Sequence, residues 1–189
     1  MGATARAEGA RVIGLQETHL EETIPLSETY LEGFRELRQC RSGRKKGGVS
    51  LYLKDTLSVV KRAGFSNGFV DILVVGVEDL DTTFSNVYRS PATNYKQWKE
   101  GIEWLEKQIL EDPRDQMMLG DLNFKDMGSW SEIEVERMRN KALNGTKQEG
   151  RDVTGQELLL LGLTEGSNLR QIVRGPTRGN HILDLVFGN

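Results

Sequence analysis

The strongest restriction on how this chain can fold is a succession of short apolar segments separated by polar turns, several running straight into an acidic or amide side chain. Arg11-Val12-Ile13-Gly14-Leu15-Gln16 is β-branched and apolar, which predicts a buried strand ending at Glu17. Gly48-Val49-Ser50-Leu51-Tyr52-Leu53 alternates with period two, the pattern of a sheet with one face inward. Residues 70–77 are almost continuously apolar, and residues 82–88 follow the acidic turn Glu78-Asp79-Leu80-Asp81; together they predict an antiparallel hairpin. Gln116-Met117-Met118-Leu119 reads as a further strand feeding Gly120-Asp121-Leu122-Asn123. Two last strands, near 168–173 and 181–187, flank the turn Arg174-Gly175-Pro176-Thr177-Arg178-Gly179-Asn180.

Helical periodicity is rarer. Tyr95, Trp98, Ile102, Leu105 and Ile109 recur at three- and four-residue steps and share one stripe, with Asn94 placed to cap the start and Pro113 to stop the end. Capping boxes at Ser129-x-x-Glu132 and Thr154-x-x-Glu157 open two more helices, the second carrying residues 158–161 and Leu163. Many strands, few helices and no regular βαβ alternation predict an α+β fold with mainly antiparallel sheet. Residues 1–189 read as one domain, with 139–152 as its expected disordered loop.

Composition narrows the class. No apolar run approaches the ~18 residues of a spanning helix, so no membrane association is expected. Met1-Gly2-Ala3-Thr4-Ala5-Arg6 lacks a signal-peptide core, and Arg6 breaks the myristoylation pattern. A lone Cys40 fits a reducing, intracellular setting. The net charge of −3 offers no global basic field, so binding of a polyanion would need a local patch or metal ions. Arg41, Arg44, Lys45 and Lys46 form such a cluster, readable as a phosphate grip or as a solubilising loop tip.

Candidate chemistry lies at the strand ends. Glu17 closes one strand, Tyr88 another, and Asp121 and Asn123 a third, while Asp184 sits inside the apolar run Ile182-Leu183-Asp184-Leu185-Val186-Phe187. A carboxylate in such a run costs several kcal/mol unless a metal or a charged donor compensates it. Asp121-x-Asn123 on an extended segment would direct both side chains to one face. Oxygen donors without cysteine, and with only two histidines, suit Mg²⁺ or Mn²⁺ and not zinc. Singly, each also has a plain reading: a solvated strand end, a turn, a core tyrosine with a wet hydroxyl.

In this order, Val12-Ile13-Gly14-Leu15-Gln16-Glu17-Thr18, Val87-Tyr88-Arg89-Ser90-Pro91, Met118-Leu119-Gly120-Asp121-Leu122-Asn123 and the segment from Pro176 to Phe187 resemble the endonuclease/exonuclease/phosphatase superfamily. More narrowly, they resemble the apurinic-endonuclease-like domain of non-LTR (LINE-type) retrotransposons. The resemblance implies a four-layer α/β/β/α sandwich of the deoxyribonuclease-I type with its site at one edge of the paired sheets. It implies that Glu17 binds a divalent metal, Mg²⁺ or Mn²⁺, and that Asp121 positions or deprotonates the attacking water. Asn123 would hold phosphate or metal-site geometry, Tyr88 would donate to a non-bridging oxygen, and Asp184 would orient a catalytic histidine. Beside that site, Thr177 and Arg178 are the better candidates for DNA contact, with Arg44, Lys45 and Lys46 joining them if the basic cluster is a phosphate grip and not a loop tip. The implied reaction nicks a DNA phosphodiester to leave a 3′-hydroxyl that primes reverse transcription. Its setting would be a polyprotein with reverse transcriptase, acting in the nucleus.

Two family pieces have no counterpart in this sequence: a first strand bearing a metal-site Asn, and a terminal Ser-Asp-His. The chain is therefore expected to be an incomplete domain with impaired activity, since neither His19 nor His181 occupies the family position. The competing functions are a catalytically dead nucleic-acid-binding fragment and a phosphoinositide- or sphingomyelin-type phosphohydrolase of the same superfamily.

Overall fold

The structure, a computed structural model, describes residues 9–41, 43, 46–124, 155–173 and 184–189, with the backbone alone at Asp184. The described elements run β1 (Val12–Gln16), β2 (Phe34–Gln39), β3 (Val49–Lys54), β4 (Val59–Ser66), β5 (Val70–Val77), β6 (Thr82–Arg89), helix α1 (Tyr95–Leu110), β7 (Asp115–Asp121), helix α2 (Gly155–Gly166), β8 (Arg170–Gln171) and β9 (Asp184–Gly188). Three strands form one sheet in the order β1-β3-β2, and six form another in the order β4-β5-β6-β7-β9-β8. Pairing is antiparallel throughout except between β6 and β7, which α1 joins as a crossover. The 70–77/82–88 hairpin is present as β5 and β6, in continuous register from Val70↔Arg89 to Val77↔Thr82.

Burial follows from the alternation of side chains along each strand. On β5, Leu73, Val75 and Val77 pack toward the three-stranded sheet against Leu51, Leu53 and Phe84. Ile72 and Val74 face the opposite way, onto Trp98 and Leu105 of α1 and Leu160 of α2. A strand covered on both faces has no polar side to show, which accounts for an apolar run interrupted only by Asp71. Helix α1 begins where its sequence says it should. Asn94 accepts from the Gln97 amide while the Gln97 side chain accepts from the Asn94 amide, and the stripe Trp98, Ile102, Leu105 and Ile109 is buried. No helix among the described residues is long and apolar enough to cross a membrane. The architecture is the deoxyribonuclease-I-like sandwich of two sheets flanked by helices.

Three local readings change. β3 is not half-exposed: Ser50 and Tyr52 on its outer face are buried as well. The irregular segment before β2 reaches Tyr52, whose hydroxyl donates to the Thr29 carbonyl at 2.8 Å, while Ser50 donates to Glu36 of β2 itself at 2.7 Å. β2 and β4 carry no clear period-two signal, because both are edge strands rich in charge: Arg35, Glu36 and Arg38 on one, Lys61 and Arg62 on the other. The strand expected over 168–173 is hydrogen-bonded as a strand only at Arg170 and Gln171. The Ser129 helix, Thr154 and the expected loop 139–152 lie outside the described residues.

At the end of β6 remote from Tyr88, the Asp112 carboxylate is nearly inaccessible and meets Lys61 at 3.3 Å, Arg114 at 2.8 Å and the Thr83 hydroxyl at 2.9 Å. Burial alone would raise its pKa, but the Thr83 and Arg114 hydrogen bonds and the Lys61 charge hold it below the ordinary 3.8. A carboxylate depressed in the folded state stabilises above its unfolded pKa and loses that contribution as pH falls through the folded one. Urea unfolding between pH 5 and 2 is therefore expected to show an acid loss of stability that is shallower in Asp112→Asn. Parallel acid limbs for the two proteins would contradict this.

Candidate active site

The six-stranded sheet aligns four residues at one level. Asp71 on β5 lies opposite Tyr88 on β6, Tyr88 beside Asp121 on β7, and Asp121 opposite Asp184 on β9. Laterally paired residues project to one face. The side chains of Asp71, Tyr88 and Asp121 accordingly point toward the three-stranded sheet, in phase with Leu73, Phe84 and Leu119 of the layer between the sheets.

Glu17 reaches this row from the other sheet. β1 ends at Gln16, and Glu17 then takes a left-handed φ of 51°, as does His19 at 54°. Left-handed backbone at a residue other than glycine costs on the order of 1 kcal/mol and persists where surrounding contacts impose it. Here Thr18 and His19 donate their amides to the carbonyls of Gly48 and Gly47, at 3.3 and 2.7 Å. The result is that Glu17 Oε1 accepts a 2.5 Å hydrogen bond from the Tyr88 hydroxyl. One residue earlier, Gln16 donates to Asn86 at 2.5 Å, and the fully buried Asn86 amide donates to the carbonyls of Leu15 and Ser50. That cross-link fixes β1 against β6 next to the Glu17–Tyr88 contact.

Burial pushes the Tyr88 phenol far above its ordinary pKa, reinforced by the hydrogen bond to Glu17 and that carboxylate's charge. Tyr88 is thus a protonated donor at neutral pH. After β7, the backbone turns. Asn123 takes a φ of 50°, its amide donates to Asp121 Oδ1 at 3.0 Å, and its side-chain nitrogen donates to the Arg89 carbonyl at 2.8 Å. The extended geometry expected of Asp121-x-Asn123 is replaced by an Asx-type turn, in which the Asp121 side chain holds the backbone two residues on.

The structure thus brings Glu17, Tyr88, Asp121 and Asn123 to one rim, and puts the backbone of Asp184 beside Asp121. Thr177, Arg178, Arg44, Lys45 and His181 lie outside the described residues. Lys46 is exposed, consistent with a loop tip, and His19 is exposed two residues past Glu17. Arg41 departs from the basic-cluster reading. Its side chain is 7% exposed and salt-bridged at 2.7 Å to the fully buried Asp71, so it does not present a phosphate grip to solvent. Asp71, Asn86 and Arg89 support the site without any motif in the sequence that marks them for it. The available signal was a charged or amide residue inside an apolar run, the same signal that singled out Asp184. Among the described residues, no three His, Cys, Asp or Glu side chains form a cluster able to hold a metal ion by themselves.

A two-sheet sandwich with carboxylate, phenol and amide groups gathered at one rim defines a class of phosphoester-cleaving proteins. The chain belongs to the Endonuclease/Exonuclease/phosphatase family, which it matches over residues 3–189. Its fold is similar to the endonuclease domain of TRAS1, a telomere-specific non-LTR retrotransposon, at 16% identity and a TM-score of 0.56, covering 95% of this chain and 72% of that one. It is also similar to the human Nocturnin catalytic domain (12% identity, TM-score 0.54, 94% and 68% covered) and to truncated Caenorhabditis elegans TDP2 (10%, 0.52, 95% and 71%). No curated protein matches the chain by sequence.

Proposed function

We propose that this chain is a metal-dependent phosphodiesterase acting on DNA, descended from the nicking domain of a retroelement polyprotein that carries reverse transcriptase and works in the nucleus. The observation that carries the reading is the Tyr88–Glu17 contact, made between residues of two different sheets at the level of Asp121. Support for the retroelement setting comes from the likeness to the TRAS1 endonuclease domain together with Tyr88-Arg89-Ser90-Pro91 and Pro176-Thr177-Arg178.

The donors fit a hard divalent cation. Glu17 and Asp121 supply carboxylate oxygens, and Mg²⁺ commonly takes only one or two such ligands while keeping several waters. Glu17 Oε1 is occupied by Tyr88, which leaves Oε2 as its donor to a cation. When bound, the metal would polarise the scissile phosphate and neutralise charge on its oxygens. The protein's own groups do the rest. The single Tyr88 hydrogen, given to Glu17 in the free protein, turns to a non-bridging oxygen once substrate is bound, and the raised pKa keeps that hydrogen in place. Asp121 orients the attacking water and accepts its proton. Asn123, tied to Arg89 and Asp121, fixes the loop beside them.

The test is nicking of supercoiled plasmid with Mg²⁺ or Mn²⁺, with polymerase extension to detect the 3′-hydroxyl. Conversion to open circle is expected to require the cation and to fall by at least about 100-fold in Glu17→Gln and in Asp121→Asn. Salt-dependent DNA binding with no cleavage under any cation, unchanged by Glu17→Gln, would instead identify a binding module. Hydrolysis of phosphoinositide or sphingomyelin in place of DNA would identify a lipid phosphohydrolase. Tyr88→Phe keeps the ring and removes the donor, so we expect a kcat loss of roughly 10- to 100-fold with little change in KM. Equal loss in KM would show that the phenol binds ground-state substrate instead.

A further inference from the structure

We propose that Arg41, paired with Asp71, is a positioning residue that sets the Tyr88–Glu17 couple from beneath. The inference rests on the phosphodiesterase reading for its catalytic consequence, though not for its structural one.

Arg41 leaves the turn between β2 and β3 and turns inward. Its Nε donates to Asp71 Oδ2 at 2.8 Å and its terminal nitrogen pairs with the same oxygen at 2.7 Å. The guanidinium carbon lies 5.0 Å from the centre of the Tyr88 ring. One cation is thereby shared between the carboxylate of β5 and the aromatic face of its register partner on β6. Asp71 itself is saturated: besides Arg41 it accepts from the Gly48 amide at 2.9 Å and from the Ser66 hydroxyl at 2.7 Å.

Gly48 connects this pair to the second half of the couple. Its amide is held by Asp71, while its carbonyl and that of Gly47 receive the Thr18 and His19 amides, the two that directly follow the left-handed Glu17. Both glycines are required by close approach. A Cβ on Gly47 would lie 2.6 Å from an Arg41 terminal nitrogen, and one on Gly48 would lie 2.9 Å from the Thr18 hydroxyl. Asp71 and Arg41 therefore grip Tyr88 through its ring and Glu17 through its backbone. The loop whose sequence suggested a DNA grip has one basic residue facing the interior and at least one, Lys46, facing solvent.

The experiment compares Arg41→Met, Arg41→Lys and Asp71→Asn in the full chain. Thermal melts would establish folding, and Asp71→Asn, which preserves shape and an acceptor, guards against loss of the Met variant to unfolding. Steady-state nicking is expected to lose roughly 30-fold or more in kcat for Arg41→Met, with KM for DNA and the salt dependence unchanged, and with Lys restoring most of the rate. A raised KM with a shallower salt slope would overturn the proposal in favour of a direct phosphate contact. Unchanged kcat in a folded variant would also overturn it.

A second readout needs no activity. With ¹³C-labelled tyrosine, the ring resonance of Tyr88, assigned through Tyr88→Phe, is expected to shift in Arg41→Met and to return toward wild type in Arg41→Lys. A merely structural pair would lower the melting temperature and leave that resonance in place, which would defeat the proposal. A resonance shifted in Arg41→Met, with a wild-type chain that never nicks DNA, would retain the positioning role and retire the phosphodiesterase reading.

Discussion

Gly120→Ala is expected to lower the melting temperature by roughly 6–12 °C, corresponding to about 3 kcal/mol in a domain of this size. Gly120 lies on β7 between Val87 of β6 and Leu185 of β9, in the interior of the six-stranded sheet. A Cβ there would overlap the Val87 carbonyl oxygen and stand 2.8 Å from its carbon and 3.0 Å from the Val87 nitrogen. These are backbone atoms of a central strand, so no rotamer change relieves the clash. β6 and β7 must part, and they carry Tyr88 and Asp121 one residue further on. Nicking should fall with stability, at temperatures where the variant is still folded. Gly162→Ala is the contrasting control, since a Cβ on that face of α2 meets nothing within 4 Å. It is expected to be neutral or to stabilise by about 0.5–1 kcal/mol. Differential scanning calorimetry of both variants is sufficient, and an unchanged melt for Gly120→Ala would mean that β6 and β7 do not pair in this register.

Gly120 also shows which parts of the site the sequence made legible. Gly-Asp-x-Asn was readable as a motif, but its glycine acquires a reason only once β6 is known to run parallel and adjacent to β7, a pairing formed across the sixteen residues of α1. Elements with a strong local signal were found: β5 from its nearly continuous apolar run, β6 from the turn before it, α1 from Asn94 and its stripe. Strands whose faces are decided by distant neighbours were not. β4 contains Lys61 and Arg62, and Lys61 makes sense only when Asp112 and the Gln108 carbonyl arrive from the end of α1. The candidate site divides the same way. Glu17, Tyr88, Asp121 and Asn123 announced themselves as polar ends of apolar segments. The groups holding them, Asp71 and Asn86, sit within β5 and β6, where only the register reveals that they lie one step from the rim. Arg41 inverts its apparent meaning, because a basic residue opening the segment Arg-Ser-Gly-Arg-Lys-Lys-Gly-Gly looks solvated until Asp71 is placed beneath it.

Arg89→Met is expected to be the most damaging single change on β6. The guanidinium is buried on a central strand and packs 4.2 Å from the centre of the Phe124 ring and 5.8 Å from that of Trp98. It donates to the Leu122 carbonyl at 3.1 Å and the Asn123 carbonyl at 3.5 Å, and its Nε donates to Gln156 at 2.9 Å. Burial pushes its pKa down to about 10, partly offset by the negative charge of Glu157, so it remains a cation at neutral pH. A buried charge is retained here because three acceptors from two segments converge on one planar group, a geometry that neither lysine nor an apolar side chain reproduces. Methionine fills comparable space and leaves those three acceptors without their donor. The expected cost is about 3–5 kcal/mol. The Asn123 turn should loosen at the same time, because its side-chain nitrogen is held by the Arg89 carbonyl and its own carbonyl by the Arg89 side chain. Chemical denaturation would read the stability loss, and amide hydrogen exchange at Asn123 and Phe124 would read the loosening. Full protection at those two amides in a destabilised Arg89→Met would show that Arg89 serves the core alone, and that the turn beside Asp121 is held by the Asp121 side chain.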